Sequence, residues 1–243
     1  MTPVPPPPAA IATLWRDDEV IVVDKAPGLL VHNSAWAGPR EVTLTELVRD
    51  QAGLPVVPLH RLDRGTSGAV AFAVAADVAA RGATRLAPTK DYLAIVRGHL
   101  RAAIDVDHPL DDDDVKDSPR KEARSRLVPV ACSPVERLSL IAVTLWTGRR
   151  HQARRHCKHA SHPIIGDATH GKGPLNRDLA ARFGLARLCL HAFRLGVDDV
   201  VVESRLPADW LTPLSALFPD VACPDLAARA RARLAADVAV RPR

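Results

Sequence analysis

The stretch PLHRLDRGTSGAV, Pro58 to Val70, sets His60, Arg61, Asp63 and Arg64 within five consecutive residues and adds Gly65 and Gly68. Apolar runs flank it, GLPVVPL before and AVAFAVAA after, so the charges interrupt what would otherwise be buried strand. Ionised groups beside a core are costly unless they are paired or used for chemistry. Two readings follow: a turn held by an Asp–Arg ion pair, or a turn that presents Asp63 as a nucleophile or base beside guanidinium groups that keep it ionised. In the second, the glycines allow a sharp turn and close approach of a ligand, and Thr66 and Ser67 supply hydroxyl donors. Two look-alikes fail: GTSGA is one residue short of a G-x-S-x-G nucleophile elbow, and no asparagine follows HRLD at kinase spacing.

Working outward, DEVIVVDKAPGLLVH predicts a strand over Val20–Val23 and a turn at Pro27-Gly28. TLTELVRDQAG has a capping Thr43, apolar residues at helical spacing and a terminal glycine. GAVAFAVAA reads as a strand buried on both faces; TKDYLAIVRG, LSLIAVTLWTG and LCLHAFRLGV read as further strands. RRHQARRHCKHA suits a helix, as does PDLAARARARLAADVAV, whose arginines are expected to be solvated. Strands and helices without regular βα alternation predict an α+β fold around one mixed sheet. The expected organisation is a disordered Pro-rich tail over residues 1–10, a single domain over 11–220 and a C-terminal helical extension over 221–243. The run from Asp111 to Asp114 lies in a polar loop lacking the glycine and closing glutamate of an EF-hand.

The 243 residues are 47% hydrophobic and 25% charged, ordinary for a globular protein, with a net charge of +5. Between Trp146 and Lys172 stand six basic residues, Arg149, Arg150, Arg154, Arg155, Lys158 and Lys172, against a single acid, Asp167, and five of the ten histidines. A solvated helix face is the ordinary explanation of a charge run; so strong a bias of one sign favours a nucleic-acid surface. On a helix Arg150, Arg154 and Lys158 share one stripe, where one cation can neutralise a buried carboxylate while the others hold phosphates. His156, His159 and His162 raise zinc, but neither HExxH nor a paired CxxC frame is present, and the cations oppose a divalent ion. Cys132, Cys157, Cys189 and Cys223 are scattered and read as reduced, mostly buried thiols. The single tyrosine, Tyr92 of KDYLAIVRG, is either a core aromatic or a stacking platform for a base. Without a signal peptide or an apolar run of membrane length, a cytoplasmic protein is expected.

Taken together and in order, KAPGLLVH, HRLDRGTSG, KDYLAIVRG, GRRHQARRH, HPIIGD and LCLHA resemble the RluA-type family of pseudouridine synthases, from about Trp15 to about Leu217. HPIIGDATHG, Asn176-Arg177 and FGLARLCLHA look most like its TruC-type branch, which modifies uridine 65 of tRNA. The first motif departs, with Asp24 and Ala26 where Asn-Lys-Pro is more usual, at positions expected to lie away from the chemistry. The resemblance implies the pseudouridine synthase fold, a catalytic domain around a mixed, largely antiparallel sheet with flanking helices and no S4 domain. It implies breakage of N1–C1′ of a flipped uridine, rotation of the uracil and rejoining through C5, without cofactor or metal. By resemblance Asp63 is the catalytic carboxylate, attacking the ribose or taking a 2′ proton. Arg154 is its ion-pair partner, Tyr92 stacks on the uracil, Arg61 handles the base and Leu190 packs against it. His60, Arg64, Thr66, Arg150 and Lys158 are the remaining candidate structural or RNA-facing contacts. The expected partner is RNA, tRNA foremost and ribosomal RNA as the alternative, bound by a monomer with no obligate protein partner and no membrane. The rival from another class is an RNA-binding protein that has lost catalysis, which need not keep Asp63, Tyr92 and Arg154.

Overall fold

The structure, a computed structural model, describes residues 10–33, 41–75, 78–79, 85–87, 89–111 and 118–237. Nearly all of the expected Pro-rich tail, and Asp112–Asp114 of the acidic loop, lie outside these residues. Two compact units form: one from the chain up to Lys90 with Ala192–Arg205, the other from Asp91–His191 with the chain after Leu206. Among the described residues ten strands and five helices alternate irregularly, and the chain is α+β as expected.

The first unit is built on β1 (Thr13–Arg16), β2 (Val20–Lys25), β3 (Val57–Pro58) and β4 (Ser67–Ala73). To these it adds β9 (Leu190–Val197, here from Ala192 on) and β10 (Val200–Glu203). β1 pairs with β2, β2 and β3 with β4, and β9 with β10, all antiparallel. Every residue of β4 is buried, which is why its sequence is apolar without alternation. Alternate residues of β2, β4 and β9 (Val20, Val22, Ala69, Ala71, Leu195 and Val197) join Val202 in one apolar cluster. The register sets Val22 opposite Ala71 and Val20 opposite Ala73. Helix α1 (Leu44–Ala52) starts at a capping box between Thr43 and Glu46 and stops at Gly53 in the left-handed region, as its sequence predicts.

The second unit holds β5 (Lys90–Arg97, here from Asp91 on), β6 (Ile104–Asp107), β7 (Arg124–Cys132) and β8 (Leu138–Leu145). β5 pairs with β8, β8 with β7 and β7 with β6, again antiparallel. Its helices are α2 (Gln152–His159), α3 (Gly173–Phe183), α4 (Ala208–Leu217) and α5 (Cys223–Asp237). β7 breaks register between Pro129 and Ala131, where a proline cannot donate to the ladder. Ser125 of β7 bonds Gln152 and His156 of α2, while Arg126 pairs with Asp237 of α5, so the pleat sends the two helices to opposite faces of the strand. The arginines of α5 are exposed, as expected.

Two expectations change. α2 begins at Gln152, not at Arg149, because His151 sits in the left-handed region at φ 52°. Gln152 then ties that start to its surroundings with its side chain: Oε1 accepts from Arg149 N–H and Thr147 Oγ1, and Nε2 donates to Arg124 O and Ser125 Oγ. Arg150 therefore precedes the helix and the expected three-cation helical stripe does not form. The cysteines divide evenly: Cys157 and Cys189 are buried, Cys223 is half-buried and Cys132 is exposed, all as free thiols.

Candidate active site

The candidate residues fall into two sets, one per unit. In the first unit, the HRLDRG segment makes a tight turn: Thr66 N–H donates to the Asp63 carbonyl at 3.0 Å. The next carbonyl, of Arg64, is held by two donors, Gly28 N–H at 2.8 Å and Lys25 Nζ at 3.1 Å. Lys25, 1% exposed, also donates to the carbonyls of Ala26 at 2.9 Å and Leu29 at 2.7 Å. The KAPG motif thus abuts the Asp63 turn through Lys25 and Gly28, while Asp24, one of its two departures, accepts from Ser204 Oγ at 2.9 Å. Arg64 reaches back with Nε to Gly28 O and forks both terminal nitrogens onto Glu41. Its guanidinium serves the turn by these bonds. Thr66 is 1% exposed, Asp63 half-buried and Arg61 exposed.

Gly68 has a different purpose from the one expected. At φ 110° a Cβ there would lie 2.2 Å from Ala192 O, so the missing side chain admits the backbone of β9, not a ligand.

Lys25 is not singled out by the sequence, because the acceptor that ties it to the Asp63 turn, Arg64 O, lies 39 residues on. Replacing it by methionine, unbranched and one atom shorter, removes a charged donor from buried carbonyls. An unsatisfied buried polar group costs about 1–3 kcal/mol. Lys25→Met is expected to lose at least about 2 kcal/mol in urea denaturation; an unchanged midpoint would show the ammonium to be dispensable.

His60 accepts a hydrogen bond from Ala71 N–H at its Nε2, at 3.1 Å. Burial, then the Lys90 charge, depress its pKa to about 3, against an opposing bond with the Arg61 backbone. Lys90 is itself half-buried and titrates low for the same reason. The unfolded chain binds a proton at His60 near pH 6.5 while the folded chain does not, so this contribution to stability is complete above pH 6.5 and is lost as pH falls toward 3. The slope of stability against pH between 6.5 and 4 is expected to be shallower in His60→Gln than in the wild type, and parallel slopes would refute the assignment.

In the second unit, Tyr92 stands on β5 opposite Val143, half-buried, next to the fully buried Asp91, which accepts from Thr144 Oγ1 at 2.7 Å. Three residues on, Ile95 N–H donates to Cys189 O and Ile95 O accepts from Ile165 N–H, while Cys189 N–H donates to Ile165 O. These bonds draw the KDYLAIVRG, HPIIGD and LCLHA segments together and set Leu190, 3% exposed, beside β5. Arg154 of α2 is 8% exposed, whereas Arg150 and Lys158 lie at the surface. The Arg154 guanidinium donates from Nε to Asp167 Oδ2 at 2.8 Å and from Nη2 to Asp167 Oδ1 at 2.9 Å. Asp167 is thus the partner of Arg154 that the sequence does not reveal; its one signal is being the lone acid in a basic stretch.

Burial by itself would raise the Asp167 carboxyl, but the Arg154 bond and the N–H groups of His170 and Thr169 outweigh it and hold its pKa below the usual carboxylate value. The histidines of this region are used singly. His156 bonds Ser125 Oγ and His108 O, His159 stacks on His108 with ring centroids 3.9 Å apart, and His162 meets Arg97 O. Among the described residues no three metal-ligating side chains converge, and no helix is long and apolar enough to cross a membrane.

Residues 19–159 match the family model described as RNA pseudouridylate synthase. The chain is 37% identical to tRNA pseudouridine synthase C of Yersinia pestis, over 84% of this chain and 88% of that protein. It is 39% identical to the protein of the same name from Pasteurella multocida, covering 79% and 88%. Among solved structures it is similar to human RNA pseudouridylate synthase domain containing 1, with a TM-score of 0.65 and 26% identity, covering 85% of this chain and 87% of that one.

Proposed function

This chain belongs to the RNA pseudouridylate synthase family, and on that premise we propose that its substrate is a uridine of tRNA, isomerised by a carboxylate mechanism centred on Asp63. The tRNA assignment rests on the relatives named tRNA pseudouridine synthase C, which match most of the chain. The observation that carries the role of Asp63 is its turn: its own carbonyl and that of Arg64 are bonded, the latter by a buried ammonium, so the backbone bearing the carboxylate is fixed before substrate arrives. Preorganisation of this kind is what a reacting group needs, since misplacement by about 1 Å can cost about a hundredfold in rate.

The reaction breaks N1–C1′, rotates the uracil and forms C5–C1′, with loss of the C5 proton. The carboxylate acts either at C1′, forming an ester that uracil C5 later displaces, or on the 2′ proton, giving a glycal. Both routes need it ionised, and resemblance to the family's third motif makes Arg154 the cation assigned to it. Tyr92 stacks on the uracil and Leu190 closes its other face, which keeps water from the detached base. Arg61, exposed beside Leu62, handles the displaced base; Arg150 and Lys158, both at the surface, take RNA phosphates. His60, Arg64 and Thr66 shape the turn. The uridine must leave its stack to be reached, at a cost of a few kcal/mol, least in a loop or another weakly paired site.

Pseudouridine mapping of RNA from cells with and without this gene product tests the substrate. Loss of a single tRNA pseudouridine is the expected result; loss confined to ribosomal RNA would overturn the tRNA assignment while keeping the chemistry.

A further inference from the structure

We propose that Asp167 is a positioning residue of the reaction: it aims the Arg154 guanidinium rather than merely fastening a loop to α2. The proposal deepens the reading of Arg154 as the counter-cation of Asp63, and rests on that reading.

Side-on pairing uses the Nε–H and one Nη2–H of Arg154, both donated to Asp167. The guanidinium is a planar, rigid fork, so fixing that edge fixes the direction of the end-on edge formed by Nη1 and the other Nη2 proton. A single carboxylate thereby sets both the position and the plane of a cation that otherwise rides on a flexible stem.

The carboxylate is held more firmly than a strut requires. Oδ1 also accepts Thr169 N–H at 2.9 Å and His170 N–H at 2.8 Å, and the side chain is wholly buried. The Asp167 carbonyl accepts Gly171 N–H and Asn176 Nδ2, each at 3.1 Å, while Asn176 Oδ1 accepts Gly166 N–H at 3.1 Å. Gly166 is at φ 75°, and a Cβ on it would fall 1.8 Å from Arg187 O, so the loop lies directly on the backbone before β9. Arg187 is anchored in turn by a bidentate pair with Asp209 and lies 5.5 Å from the centre of the Trp210 ring. The cation is therefore aimed by a loop seated on backbone.

Asp167→Asn tests this cleanly because it is nearly isosteric. The amide oxygen keeps the two loop N–H donors and the Arg154 Nη2 bond, which turns the NH2 toward Arg154 Nε, donor against donor. The loop keeps its bonds and the guanidinium loses one of the two that fix its plane. Turnover and KM on a tRNA transcript, measured for Asp167→Asn, Arg154→Lys and the double variant, read the effect, with folded fraction followed by denaturation.

The expected result is a fall in kcat of about 30- to 100-fold for Asp167→Asn, with KM within about threefold and no further fall on adding Asp167→Asn to Arg154→Lys. A purely structural role predicts losses that track the folded fraction and multiply in the double variant; either finding, or a kcat within about twofold of wild type while Arg154→Lys is impaired, overturns the proposal. Should Asp167→Asn not fold, Asn176→Ala loosens the same loop from outside the pair. It is expected to lower kcat by about three- to tenfold, an effect absent in the Arg154→Lys background; persistence there contradicts the proposal. Wild-type turnover by Arg154→Lys would show that charge alone suffices and would overturn this proposal, whereas wild-type turnover by Arg154→Ala would overturn the role of Arg154 itself.

Discussion

Asp63→Asn is expected to lower turnover by at least about a thousandfold, the scale on which enzymes lose activity with their nucleophile, while RNA affinity stays within about threefold. The amide keeps the shape of the side chain but supplies neither the charge nor the basic oxygen that both mechanistic routes require. The turn is expected to survive, because the bonds that hold it, from Thr66, Gly28 and Lys25, go to or from main-chain groups and not to the Asp63 carboxylate. Tritium release from [5-³H]uridine-labelled tRNA measures turnover, and filter binding measures affinity. Release at the wild-type rate by the variant would remove Asp63 from the reaction; loss of binding together with turnover would make it a binding residue instead.

Arg154→Ala is expected to fail twice over. Asp167 has no side-chain exposure and Arg154 only 10%, so deleting the guanidinium leaves a buried carboxylate without its counter-charge. Breaking such a pair from one side costs about 3–5 kcal/mol, which denaturation of the purified variant reads directly. Activity should fall beyond what the remaining folded fraction explains, since the proposed function also gives Arg154 a part in the reaction. Arg154→Lys separates the two effects: it keeps the charge but cannot give two parallel donors. It should recover much of the stability and little of the turnover, remaining down by about a hundredfold. Full recovery of turnover by lysine would show that charge alone is needed.

What could be read from the sequence was what local chemistry dictates. The capping box of α1 lies within four residues, and the buried β4 announces itself by seven residues without an outward polar position. Tyr92, Arg154 and Leu190 were legible as a set only through their resemblance to a family, since nothing in the spacing of residues 92, 154 and 190 brings them to one unit. The structure does so with main-chain bonds at Ile95, Ile165 and Cys189.

The misreadings share a cause. The stripe of Arg150, Arg154 and Lys158 presumed a helix from Arg149, but the start of α2 is fixed by Gln152 reaching Arg124 and Ser125, residues far back in the chain. Gly68 looked like room for a ligand because its neighbour across the sheet, Ala192, is invisible from its own segment. β7 was not foreseen because Pro129 disguises a strand whose bulge accommodates it. Lys25 and Asp167 are both buried, and each holds a group distant in the chain, the Arg64 carbonyl and the Arg154 guanidinium.

The most direct test follows the fate of the uracil itself. Wild-type protein is incubated with [5-³H]uridine-labelled tRNA, and tritium in water, free uracil and the integrity of the RNA are measured together. The structure and family predict tritium release equal to the pseudouridine formed, with no free uracil and no abasic site. Free uracil with an abasic site, and no pseudouridine, would show a hydrolase in which the base escapes, and would contradict isomerisation at Asp63.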